Sequence, residues 1–118
     1  MGDYRNVLAG GIAYGGDDQL TATGNVNVFS GDVLDVYGYL DGGNDTLTAA
    51  ADKAFNMLHG DAETVFAGGT VIGGNDTINA LGTSSATTVA TGDAVTTHGI
   101  VIGGNDTITH GDTAKTLV

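Results

Sequence analysis

Short segments of alternating apolar and polar residues recur along the chain at a nearly constant interval. Gln19-Leu20-Thr21, Thr46-Leu47-Thr48, Thr77-Ile78-Asn79 and Thr107-Ile108-Thr109 each set one Leu or Ile between two polar neighbours, the period-2 pattern of a strand with one buried face. A second group recurs as Asn27-Val28-Phe29-Ser30, Asn56-Met57-Leu58-His59 and Thr88-Val89-Ala90-Thr91. A third recurs as Ile12-Ala13-Tyr14, Tyr39-Leu40, Thr70-Val71-Ile72 and Ile100-Val101-Ile102. Each repeat is predicted to supply about three short strands. None can bury its apolar side alone, so successive repeats must stack as parallel coils about 4.8 Å apart around a shared core. The expected fold class is all-β, a parallel β-roll or right-handed β-helix solenoid of about four coils.

Two kinds of turn separate the strands. Gly15-Gly16-Asp17-Asp18, Gly42-Gly43-Asn44-Asp45, Gly73-Gly74-Asn75-Asp76 and Gly103-Gly104-Asn105-Asp106 follow one another at spacings of 27, 31 and 30 residues. A Gly-Asp pair lies 11 or 13 residues before each block, at Gly2-Asp3, Gly31-Asp32, Gly60-Asp61 and Gly92-Asp93, and once more at Gly111-Asp112. The repeats therefore run approximately over 2–30, 31–59, 60–91 and 92–110, with a partial one over 111–118, in a single domain. Neither end carries a polar cap. A fragment of a larger protein with neighbouring domains is expected, able to associate end to end through its uncapped coils.

Composition narrows the picture. The chain has 118 residues with 21 glycines and no proline, cysteine or tryptophan. That much glycine suits turns and not helix interiors, where each costs about 0.8–1.0 kcal/mol relative to alanine. Without cysteine there is neither a disulfide framework nor a thiolate metal site. The net charge of −11 disfavours nucleic acid and anionic lipid as partners and favours cations. No apolar run is long enough to span a membrane, and the amino-terminal residues form no secretion signal.

The charge is not spread evenly. Of 13 aspartates, 10 fall in the two turn types, and Glu63 is the only glutamate. Calcium takes six to eight oxygen ligands from carboxylates, amide side chains and backbone carbonyls, and a glycine-rich turn ending in Asn-Asp offers all three. The candidate metal-binding residues are Gly16, Asp17 and Asp18; Gly43, Asn44 and Asp45; Gly74, Asn75 and Asp76; and Gly104, Asn105 and Asp106, with Asp32, Asp61, Asp93 and Asp112 from the Gly-Asp turns. Stacked one coil apart, such carboxylates repel unless cations lie between them. Three divalent ions between four coils would bring −11 to −5, and folding is then expected to depend on calcium.

GGNDTL and GGNDTI resemble the second half of the repeats-in-toxin (RTX, hemolysin-type) nonapeptide, Gly-Gly-x-Gly-x-Asp-x-U-x with U apolar. In that register Gly16, Gly43, Gly74 and Gly104 match the fourth position, Asp18, Asp45, Asp76 and Asp106 the sixth, and Leu20, Leu47, Ile78 and Ile108 the eighth. The first two glycines are replaced by Leu40-Asp41, Val71-Ile72 or Val101-Ile102, and the period is about 30 in place of 9 or 18. The repeat then fits either one three-sided coil or three β-roll half-turns. The resemblance implies a calcium-binding module that folds outside the cell, in a protein exported by type I secretion and located extracellularly or on a bacterial surface. It implies no catalysis of its own.

Other readings have less behind them. His59, His98 and His110 fall at non-equivalent places, form no ligand motif and are expected as exposed strand ends. No nucleophile or single outstanding carboxylate pair suggests an enzyme. The positions Thr21/Thr23, Thr46/Thr48, Thr77/Asn79 and Thr107/Thr109 form a Thr-x-Thr rank similar to that of ice-binding β-solenoids. Tyr4, Tyr14, Tyr37 and Tyr39 suit an adhesion or carbohydrate-binding module, or else fill the first coils.

Overall fold

The computed structural model describes residues 2–22, 26–49, 55–80, 87–110 and 116–117. Among them there is no helix. Sixteen short strands form four parallel four-stranded sheets. The first coil contains β1 (Asn6–Val7), β2 (Ile12–Tyr14), β3 (Gln19–Ala22) and β4 (Val26–Ser30). The second contains β5 (Val33–Val36), β6 (Tyr39–Asp41), β7 (Thr46–Ala49) and β8 (Phe55–His59). The third contains β9 (Ala62–Val65), β10 (Thr70–Ile72), β11 (Thr77–Ala80) and β12 (Thr87–Thr91), and the fourth β13 (Ala94–Thr97), β14 (Ile100–Ile102), β15 (Thr107–His110) and β16 (Thr116–Leu117). Every strand pairs with its equivalent one coil away, so the molecule is a parallel β-solenoid of four coils.

One repeat is one coil, and it has four strands where the sequence pattern predicts about three. The additional sheet is β1-β5-β9-β13, which directly follows the Gly-Asp turns. Its inner strands, β5 and β9, bury their first and fourth residues, Val33 and Val36 or Ala62 and Val65, and leave the middle pair half-buried. Period-2 alternation does not find such a segment.

The coil is flattened, and its interior is divided. One apolar cluster lies between the first and second sheets and includes Val33, Val36, Leu40, Ala62, Val65 and Val71. A second lies between the third and fourth sheets and is built from Leu47, Ala49, Leu58, Ile78, Ala80 and Ala90, with Leu20, Phe29 and Ile108 packed against it. The Leu20-Leu47-Ile78-Ile108 ladder read from the repeat is in register across β3, β7, β11 and β15. The molecule measures 42 × 24 × 23 Å. Four coils at about 4.8 Å give a stack of only roughly 20 Å, so the long dimension lies across the coil, from one cluster to the other. Between the clusters is a waist, where both turn types cross.

The outer faces differ. The third sheet carries Thr46/Thr48, Thr77/Asn79 and Thr107/Thr109 in register, but in the first coil Gln19 stands against Thr46 and Thr21 against Thr48, so the predicted Thr21/Thr23 pair is shifted out of the rank; Thr23 lies outside the described residues. The second sheet exposes Ile12, Tyr14, Ile100 and Ile102. Tyr4, Tyr14 and Tyr37 are exposed and Tyr39 is half-buried, so none of the four fills a coil. Tyr37 instead stacks on Phe66 of the next coil, with ring centroids 4.2 Å apart.

The ladder and the outer face respond differently to truncation. Leu47→Ala removes a side chain with no solvent exposure and is expected to cost about 2–5 kcal/mol. Ile12→Ala, on the outside of β2, is expected to stay within about 0.5 kcal/mol. Urea denaturation checks both.

Candidate metal centre

At the waist the Gly-Asp turn leading from the fourth sheet to the first faces the Gly-Gly-Asn/Asp-Asp turn leading from the second to the third. Backbone amides hold the carboxylates of the Gly-Asp turns within each coil. Gly16 N donates to Asp3 Oδ2 at 2.5 Å, Gly43 N to Asp32 Oδ2 at 3.0 Å, Gly74 N to Asp61 Oδ1 at 3.1 Å and Gly104 N to Asp93 Oδ1 at 2.9 Å. The other carboxylates reach between coils: Asp18 N donates to Asp45 Oδ1 at 2.7 Å, Asp45 N to Asp76 Oδ1 at 2.8 Å and Asp76 N to Asp106 Oδ1 at 3.0 Å. Two columns of aspartate thus run along the stack, one from each turn.

The columns interdigitate because the turns opposite them are glycine. The Asp76 carboxylate lies against Gly60, and a Cβ there would overlap both that carboxylate and the carbonyl of Gly92. Gly31 stands in the same relation to Asp45 and Gly60 O. A glycine at these corners is needed for space; among the described residues no corner glycine has a left-handed φ, and the glycines that do are Gly10 and Gly68.

Asp3, Asp32, Asp45, Asp61, Asp76, Asp93 and Asp106 each accept a backbone amide at one carboxylate oxygen. Asp32 Oδ1, Asp45 Oδ2, Asp61 Oδ2 and Asp76 Oδ2, together with Asp18 Oδ2, are buried without a hydrogen-bond partner. Asp32, Asp45, Asp61 and Asp76 are at most 1% exposed. Burying an ionised carboxylate this way is strongly unfavourable unless a cation or a proton accompanies it. Ligand oxygens of Asp3, Asp18 and Asp32 lie within 4.8 Å of one another, close enough for one ion at calcium–oxygen distances of about 2.4 Å. An all-oxygen, largely anionic donor set suits a hard cation.

The candidate residues divide into two groups. Asp18, Asp45, Asp76, Asp106, Asp32, Asp61 and Asp93 meet at the waist, where the amides of Gly43, Gly74 and Gly104 orient Asp32, Asp61 and Asp93, and that of Gly16 orients Asp3. Asp3, equivalent to Asp32, joins them; its place in the Gly-Asp series is the signal that marks it. Asp17, Asn44, Asn75 and Asn105 form an exposed ladder outside. Asn44 N donates to Asp17 Oδ1 at 2.8 Å, Asn75 N to Asn44 Oδ1 at 2.9 Å and Asn105 N to Asn75 Oδ1 at 2.8 Å. Asp112 lies outside the described residues. Thr116 pairs with Val89 and Leu117 with Ala90 in the fourth sheet.

His59 overturns the expectation of an exposed strand end. It is fully buried, in register with Ser30 and Thr91 beside the Gly60-Asp61 corner. Its Nδ1 lies 3.1 Å from Thr91 Oγ1, and its Nε2 has no partner. The column position accepts Ser, His or Thr because it faces polar backbone: Ser30 Oγ donates to the carbonyls of Val33 and Asp61. His98 is exposed, and the His110 side chain lies outside the described residues.

Burial, ahead of repulsion from neighbouring aspartates, raises the carboxyls of Asp32 to about 6, Asp76 to about 7, Asp45 to about 8 and Asp61 to about 9. Without metal the folded chain therefore holds protons that the unfolded chain releases near pH 4, so its stability falls as pH rises through 6 to 9. His59, lowered by burial to about 4, acts with the opposite sign but only between about 4 and 6.5. Thermal unfolding in EDTA is expected to give a Tm that declines from pH 6.5 to 9. A cation held by these carboxylates would displace the protons and abolish the decline. In comparisons with known proteins no family model, curated protein or solved structure matches the chain.

Proposed function

We propose that the chain is a calcium-binding solenoid module that completes its fold when calcium occupies the column between its coils, as a structural, non-catalytic part of an exported protein. The observation that carries this reading is the row of five buried, unpartnered carboxylate oxygens at the waist. Each of the second and third coils contributes two column carboxylates, Asp32 with Asp45 and Asp61 with Asp76, so one divalent ion per level neutralises the column. Calcium fits better than magnesium, because it tolerates irregular shells of carboxylate and carbonyl oxygen and gives up its water more readily.

The same column supplies a secretion logic. In low calcium the ionised aspartates oppose stacking and the chain stays open for export; at extracellular calcium they are neutralised and the coils close. The RTX resemblance points to type I secretion and to a place beside another domain of the parent protein. Equivalent carboxylates in successive coils support a structural role over a catalytic one. The exposed Tyr4, Tyr14 and Tyr37 favour a second role in surface or glycan contact, which a glycan screen of the calcium-loaded chain would detect.

Far-UV circular dichroism during a calcium titration after EDTA treatment is expected to show a cooperative coil-to-β transition that magnesium does not reproduce. A chain already β-rich in EDTA and indifferent to calcium would refute the proposal. Asp76→Asn is expected to raise the calcium midpoint at least about tenfold, or ~1.4 kcal/mol. Asn75→Ala, in the outer ladder, is expected to lose only about 0.5–1.5 kcal/mol of stability and to leave the calcium stoichiometry unchanged.

A further inference from the structure

We infer that the column holds its cations in two kinetic classes: inner ions that are trapped until the coils separate, and outer ions that exchange freely with solvent. This rests on the calcium reading above and deepens it, because it makes calcium a lock on the folded state as well as a trigger for it.

The basis is the enclosure of each level. At the second and third coils, Asp32, Asp45, Asp61 and Asp76 have essentially no solvent exposure. The apolar cluster of Val36, Leu40 and Val65 closes one side of the waist, and that of Leu47, Leu58 and Ile78 closes the other. The buried backbones of Gly31, Gly43, Gly60 and Gly74 close the two faces. Above and below, the coils are tied by backbone bonds that pass directly beside the carboxylates, such as Gly42 N to Ile72 O at 2.7 Å and Gly31 N to His59 O at 2.9 Å. Among the described residues these levels are shut off from solvent on each of these sides. A cation there can leave only when the ladder opens.

The outer levels differ. Asp3 is exposed, and Asp18, Gly2 and Gly16 are only partly buried, although their ligand atoms converge with that of Asp32. At the fourth coil, Asp93 and Asp106 line an open cavity of about 170 Å³ together with Thr91 and Thr97. Ions at either place keep contact with water and have a way out. Free calcium then sets the occupancy of the outer levels continuously, whereas the inner levels remember the calcium at which the chain folded. A module folded in high calcium is expected to survive calcium withdrawal for about its unfolding time.

The test uses the full chain loaded with radioactive calcium and transferred into excess chelator, with retained label measured over time beside the circular dichroism signal. Two phases are expected, separated by at least about tenfold in rate. The slow phase should match the loss of β signal, and Asp3→Asn should diminish the fast phase while leaving the slow one in place. Release of all label in one phase ahead of unfolding would overturn the inference while leaving the calcium reading intact. So would an Asp3→Asn variant that abolished the slow phase. No bound label at the start would remove the calcium reading, and this inference with it.

Discussion

The structure depends on how two rows of aspartate can be buried in the middle of a protein. Neighbouring ionised carboxylates one coil apart repel by roughly 3–4 kcal/mol at an effective dielectric of about 20. Their transfer out of water adds to that cost. Backbone amides absorb one oxygen of most of these carboxylates, but among the described residues no cationic side chain reaches the other, and the chain has only 3 Lys and Arg residues in all. Protons or metal ions must supply the balance.

The rest of the architecture accommodates this waist. A coil with one continuous apolar interior would have no place for the aspartates, and the flattened cross-section provides one by separating two smaller clusters. Each cluster is made largely of Val, Leu, Ile and Ala, one or two residues per strand, and neither contains a large aromatic side chain among its fully buried members. Small clusters joined through a charged waist contribute less cohesion than a single core would, which leaves the stacking hydrogen bonds a large share in holding the coils together. The exposed ladder from Asp17 to Asn105 reinforces the register from outside without adding charge beyond Asp17.

Much of this is legible in the sequence because the solenoid repeats its contacts. The GG(N/D)D blocks fixed the interval, and the single Leu or Ile after each block marked a ladder that stands in register in the structure. What escaped reading depends on geometry within a coil. Val33 and Val36 do not alternate, because the strand after the Gly-Asp turn buries its ends, so a fourth sheet was hidden. Sequence also cannot separate adjacent turn residues by direction: Asn75 and Asp76 are neighbours, yet one joins an outer ladder and the other a buried column. His59 looked like a surface residue because its equivalents Ser30 and Thr91 are small and polar, and their burial is a consequence of the waist.

The most direct measurement is anomalous diffraction from crystals grown in calcium, at a wavelength where calcium scatters anomalously. A row of peaks along the waist, each within about 2.3–2.6 Å of oxygens from Asp32, Asp45, Asp61 or Asp76 and spaced by about 4.8 Å, is the expected result. A waist without peaks, or calcium bound only at exposed aspartates such as Asp17, would contradict the account.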